Sequence, residues 1–201
     1  MKTDRFETFA DAILAIVMTV LILKIPQPVE PTLTAIWDLR AMYVAYAVSF
    51  LIIYNTWYNN HNLFQLVDEI DNRVIAVHGI LLFILSLLPY FTIWLARHVN
   101  SLPAETMFGL IFVSSNILSN ISVKTVFRSD PYNKKLKALD QSNNWMNIPL
   151  AIQIIGFVIS YTIYVPAIYL SCFVSIILWL ILSRRNRQRS DEAWTVKDSK
   201  H

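Results

Sequence analysis

The run Ala12-Ile13-Leu14-Ala15-Ile16-Val17-Met18-Thr19-Val20-Leu21-Ile22-Leu23 leaves a chain few options. It follows Arg5-Phe6-Glu7-Thr8-Phe9-Ala10-Asp11 directly, and nothing breaks it before Pro26. A helix over this stretch has about the ~20 residues that one bilayer crossing needs. Asp11 nevertheless stands in its first turns. A carboxylate near hydrocarbon is expensive and marks a functional position by default. We read this helix as the wall of an ion pathway, held in place by the rest of the chain. A cleaved signal peptide is not expected, because Asp4, Glu7 and Asp11 interrupt the start and Lys24-Ile25-Pro26-Gln27 offers no small-residue cleavage site.

Five further apolar spans follow. The six cover roughly Phe6–Ile25, Trp37–Tyr58, Val74–Ala96, Ala104–Phe127, Asn147–Tyr164 and Ala167–Ser183. Pro26, Pro28 and Pro31 force an extended link after the first, since proline cannot continue a helix. Pro89 is expected to kink the third, and Pro166 to fold the last two into a tight hairpin. Composition agrees: 55% of the 201 residues are apolar and 15% charged, against about 25% charged in soluble domains. The expected fold is all-α and polytopic. Residues 1–185 form one transmembrane domain, and 186–201 a polar, disordered cytoplasmic tail.

Orientation follows from the cations. With six spans, one side collects Lys2, Arg5, Arg73, five basic residues from Lys124 to Lys137 and six from Arg184 to Lys200, or 14 of the 17. Lys24, Arg40 and Arg97 fall on the other side. The positive-inside rule then puts both termini in the cytoplasm. Trp37, Trp57, Trp94 and Trp145 lie near span ends, where amphipathic rings prefer the interface. The run Arg184-Arg185-Asn186-Arg187-Gln188-Arg189 suits anionic lipid heads rather than nucleic acid.

The composition argues against several chemistries. Three glycines leave little room for Gly-rich phosphate loops or a backbone-carbonyl potassium filter. There is no HExxH run, P-loop or serine elbow. Cys172 is alone, and His61 and His78 lack partners at zinc-ligand spacing, so neither an enzyme nor a metal cofactor is expected. On a helical wheel of about 100° per residue, Ile16, Thr19, Val20 and Leu23 share one stripe, and Asp11 lies about 120–140° from Ile16 and Leu23. Arg5 and Asp11, six apart, are not helix neighbours and need partners elsewhere. Trp57, Asn59, Asn60, His61 and Asn62 ending the second span, with Asn72, Arg73 and His78 opening the third, predict a polar layer at the same depth. An alternative reading is a proton-coupled secondary transporter in which Asp11 and His78 exchange protons.

These residues resemble a known family. Arg5-(three residues)-Phe9-Ala10-Asp11 is similar to the R-xxx-F-S-D signature of the lysosomal potassium channel family called transmembrane protein 175 and its prokaryotic relatives. Trp57-Tyr58-Asn59-Asn60-His61-Asn62-Leu63-Phe64 resembles that family's W-x-N-H-H-x-L-F run, and Leu87-Leu88-Pro89-Tyr90 its third-helix proline. Ala10 replaces the signature serine, Asn60 replaces a histidine, and His78 stands where an asparagine is expected. The resemblance implies six helices per subunit and, with one copy per chain, a homotetramer in a cell membrane. The first helix would line a pore for potassium ions. Ile16 would form the constricting apolar ring, Val20 and Leu23 would follow it outward, and Ala15 and Thr19 would match positions tied to cation selection.

Overall fold

The computed structural model describes residues 1–129, 133 and 147–179. They form helices α1 (Thr3–Leu23), α2 (Leu33–Asp38), α3 (Arg40–Phe64), α4 (Asn72–Ser86), α5 (Leu88–Arg97), α6 (Leu102–Ser129), α7 (Asn147–Thr162) and α8 (Ala167–Trp179). The expected tail and the end of the sixth span, residues 180–183, lie outside the described residues, as do Lys134, Lys135 and Lys137.

Local chemistry sets the boundaries. Thr32 Oγ1 accepts the Ala35 N–H at 3.2 Å and starts α2, and Asp71 Oδ1 accepts the N–H groups of Arg73 and Val74, both at 2.9 Å, to start α4. Such caps satisfy donors that the first helical turn leaves open. The second span differs from expectation at both ends. Trp37 belongs to the separate turn α2, and α3 runs on through the asparagine-rich stretch to Phe64. The third span stays one stretch, Asn72–Arg97, with a break in its helical ladder at Leu87. Leu87 separates α4 from α5, and Pro89, which has no N–H to give, occupies the first turn of α5.

Three of the described helical stretches are long and apolar enough to cross a membrane: α1, α4 with α5 taken together, and α6. The 25 residues of α3 rise about 37 Å at ~1.5 Å each, but amides at Asn55, Asn59, Asn60 and Asn62 dilute its apolar character. The apolar helices α7 and α8 are shorter.

The core forms where α1, α3, α4, α5 and α6 meet, around Leu14, Leu21, Ile53, Leu81, Leu85, Leu88 and Phe108. The hydroxyls of Ser49 and Thr92, 2.7 Å apart and buried, tie α3 to α5. The outer hairpin is held by small and polar groups instead. Ser160 Oγ donates to Val165 O at 2.7 Å across the turn, and Ser171 Oγ to Gln153 Oε1 at 2.9 Å. Glu105 of α6 accepts the Tyr169 N–H at 2.8 Å, which caps α8. Gly109 and Gly156 let backbones approach closely: a Cβ at Gly109 would strike Ile168 and one at Gly156 would strike Ser171. In lipid, where apolar contact between helices gains little over contact with acyl chains, packing of this kind and interhelical hydrogen bonds supply the cohesion.

Candidate functional site

Helix α1 has two faces of different kinds. Phe6, Ala10, Leu14, Val17 and Leu21, spaced four, four, three and four apart, are buried against α3, α4 and α5. The opposite face carries Thr8, Ala12, Ala15, Ile16, Thr19 and Leu23, all exposed. Ile16 is 62% exposed and Leu23 79%, although the helix's other face is buried in the core. Val20 is half-buried at the margin between the faces. The Thr19 hydroxyl donates to Ile16 O at 2.8 Å.

The free face differs from the exposed side of α7. That side is mostly bulky, with Ile154, Ile155, Val158, Ile159 and Tyr161 beside Ala151 and Thr162, as a surface against acyl chains would be. The α1 face puts an alanine or a threonine at every turn, with the large side chains of Ile16 and Leu23 between them and those of Phe9 and Ile22 at its margins.

The expected polar layer is divided into two clusters. The first is half-buried between α1 and α3. Glu7 Oε1 meets His61 Nδ1 at 2.6 Å, Gln65 Nε2 meets His61 Nε2 at 2.8 Å, and the imidazole stacks on Trp57 with centroids 5.5 Å apart. The second is buried between α3, α4 and α6. His78 Nδ1 lies 2.8 Å from Ser122 Oγ, and His78 Nε2 lies 3.3 Å from Asn60 Oδ1. Phe6 and Phe64 close over the same ring at centroid distances of 5.7 and 4.7 Å. The tautomer with its hydrogen on Nε2 would donate to the Asn60 oxygen and accept from the Ser122 hydroxyl at Nδ1.

The remaining sites named from the sequence stand apart from these clusters. Arg5 and Phe9 are exposed, and Asp11 is half-buried. Among the described residues neither Arg5 nor Asp11 forms a hydrogen bond or ion pair, and none joins Asp11 to His78. Ala10 lies in the core, where the family's serine would bring a hydroxyl. Asn59 donates to Asn55 Oδ1 at 3.3 Å and, with Asn55, Thr56, Ser115, Asn116 and Asn120, lines a cavity of about 30 Å³, the share of one water molecule.

Glu7 and Ser122 were not singled out in the sequence. The first helix carries three acids, Asp4, Glu7 and Asp11, and the middle one has the histidine partner. The signal for Ser122 was the recurrence of hydroxyls and amides at 115, 116, 119, 120 and 122 within an apolar span. No group of three metal-ligating side chains occurs among the described residues.

A helical bundle with several membrane-length apolar helices is that of a multi-pass membrane protein. Residues 5–89, which contain nearly all of α1 and both polar clusters except Ser122, match the family profile described as endosomal/lysosomal potassium channel TMEM175. A potassium channel of Chryseobacterium sp. (strain P1-3) is 28% identical over 187 residues, covering 92% of this chain and 96% of the relative. One from Chamaesiphon minutus is 31% identical over 128 residues, covering 59% and 63%. The crystal structure of a lysosomal potassium-selective channel TMEM175 homolog from the latter organism superimposes with a TM-score of 0.74 at 24% identity, over 91% of this chain and 97% of that one. The family resemblance read from Arg5, Phe9, Asp11 and the Trp57–Phe64 run is thereby borne out, and so is the all-helical fold.

Proposed function

We propose that this chain is a potassium-permeable cation channel, built from four copies around a central pathway that α1 lines. Six spans per subunit, α1, α3, α4 with α5, α6, α7 and α8, would cross a cell membrane with both termini in the cytoplasm. The observation that carries this reading is the free face of α1. Helix α1 packs against α3, α4 and α5 along one face and leaves Ile16 and Leu23 uncovered on the other, among alanines and threonines. Four such faces around an axis would give a collar of isoleucines flanked by small residues and hydroxyls. The family match over residues 5–89 and the relatives named as potassium channels support the same reading.

An apolar collar narrower than a hydrated ion gates by dewetting and by the cost of partial dehydration. Potassium holds its water less tightly than sodium and crosses such a barrier more readily. Ile16 is the constriction in this reading, Val20 and Leu23 continue it outward, and Ala15 and Thr19 shape cation preference. No cofactor enters the mechanism, only the permeant ion. Purified protein in liposomes tests it. Passive, voltage-driven potassium flux exceeding sodium flux is expected, together with crosslinking of Ile16→Cys between protomers. A monomer that passes no cation, or flux strictly coupled to protons, would overturn it in favour of inert assembly or of transport.

A further inference from the structure

A second feature lies away from α1. A cavity of about 270 Å³ opens where α4 begins and α6 ends, lined by Asp71, Arg73, Val77, Thr125, Arg128 and Ser129. Two guanidiniums thus reach one opening from neighbouring helices. Both side chains are exposed, and among the described residues neither meets a carboxylate; the one ion pair seen there joins Glu7 to His61. Asp71 is the only acid in the lining, and its Oδ1 already accepts the N–H groups of Arg73 and Val74. Thr125 Oγ1 donates to Ile121 O at 2.7 Å and Ser129 Oγ to Thr125 O at 3.1 Å, which leaves the guanidiniums as the free donors.

The placement of the charges sharpens the point. A cation in the last turn of a helix is favoured by the helix dipole, as Arg128 is on α6. A cation in the first turn is not, and Arg73 is the second residue of α4. Two guanidiniums and the one capping carboxylate of Asp71 leave the cavity net positive, which suits a bound oxyanion. Guanidinium pairs bind phosphoryl oxygens through short charge-assisted bonds. Basic pockets between helix ends at a membrane surface are where anionic headgroups settle.

The lining continues as an apolar bed. Val77 adjoins the mouth, and Ile80, one turn deeper on α4, is exposed. On α6, Ile121 and Ile117 lie one and two turns before Thr125 and are exposed as well. This bed is what acyl chains need and what a free anion does not use.

We propose that this cavity seats the phosphoryl headgroup of an anionic phospholipid between Arg73 and Arg128, with its acyl chains along Ile80, Ile117 and Ile121. The proposal rests on the chain's spanning a membrane, but not on its conducting ions.

The test uses the full chain in a neutral detergent, titrated with dioctanoyl-phosphatidylglycerol, dioctanoyl-phosphatidylcholine and inorganic phosphate. The readout is the rise in melting temperature. Phosphatidylglycerol is expected to stabilise, with a half-saturating concentration about tenfold higher in Arg73→Gln and in Arg128→Gln, the effect of losing one charge-assisted bond. Lys24→Gln, remote from the cavity, should respond as the parent does. Val77→Trp, which fills the mouth and leaves both charges, should also lose the response and serves if an arginine variant fails to fold. Equal stabilisation by phosphatidylcholine, or an unchanged response in the double arginine variant, would overturn the site. A response to inorganic phosphate matching that to phosphatidylglycerol would overturn the lipid assignment. A chain that answers phosphatidylglycerol but passes no potassium sinks the channel reading alone. A conducting chain whose arginine variants answer like the parent sinks this one alone.

Discussion

Asn60 Oδ1 lies 3.3 Å from His78 Nε2, across the gap between α3 and α4. These are two of the positions at which the chain departs from the family pattern, with an amide where a histidine is expected and a histidine where an amide is expected. The two departures face one another. One imidazole and one carboxamide still share the buried space, with the helices that carry them exchanged. Asn60→His or His78→Asn alone should therefore leave a mismatched pair and lose about 1–3 kcal/mol, the cost of an unsatisfied buried polar group. The double exchange should melt closer to the parent than either single variant. Thermal melts of the four proteins check this, and additive losses would show that the two side chains are not coupled.

Asp11 has no partner within the subunit among the described residues, although it is half-buried. If a neighbouring protomer supplies the donor, Asp11→Ala should weaken assembly while leaving the subunit's own fold intact. Light scattering of the detergent-solubilised protein should then find smaller particles, while helical content by circular dichroism is unchanged. A stable tetramer with the parent's melting profile would remove the structural role.

Ile16→Asn should raise potassium conductance and lower the preference for potassium over sodium, because an amide relieves the dehydration barrier at an apolar collar. Paired flux measurements in liposomes read both quantities. Equal permeability ratios in variant and parent would place the constriction elsewhere on α1.

Two glycines should respond with opposite sign. A Cβ at Gly156 meets Ser171 Cβ and the Ala167 carbonyl on α8, so Gly156→Val should cost about 1–3 kcal/mol through overpacking of the hairpin. Gly79, on the exposed side of α4, has nothing within 4 Å of where a Cβ would sit. Gly79→Ala should stabilise by about 0.5–1 kcal/mol through helix propensity alone. Comparative melts of the two variants decide both.

Residue periodicity made much of this bundle legible. Of the stripe Ile16, Thr19, Val20 and Leu23, all but the half-buried Val20 emerge on the uncovered side of α1, because an apolar helix buries one face and its spacing marks which residues share it. The pairing of polar groups was less accessible. Glu7 and His61 are 54 residues apart, and His78 and Ser122 are 44 apart. No local pattern encodes such meetings, which depend on how three helices are rotated about their axes. The extension of α3 to Phe64 was missed because asparagines read as helix breakers in water. Here several of their side chains have partners, Asn59 with Asn55 and Asn62 with the Tyr58 carbonyl, so the backbone keeps its own ladder.

The Thr19 hydroxyl has spent its only hydrogen on the carbonyl of Ile16. What remains to the outside is a pair of lone pairs, so at this level α1 presents an oxygen that can accept and cannot donate. Were α1 to line the proposed pathway, a positively charged visitor would find a ligand there, whereas chloride would find nothing to bind.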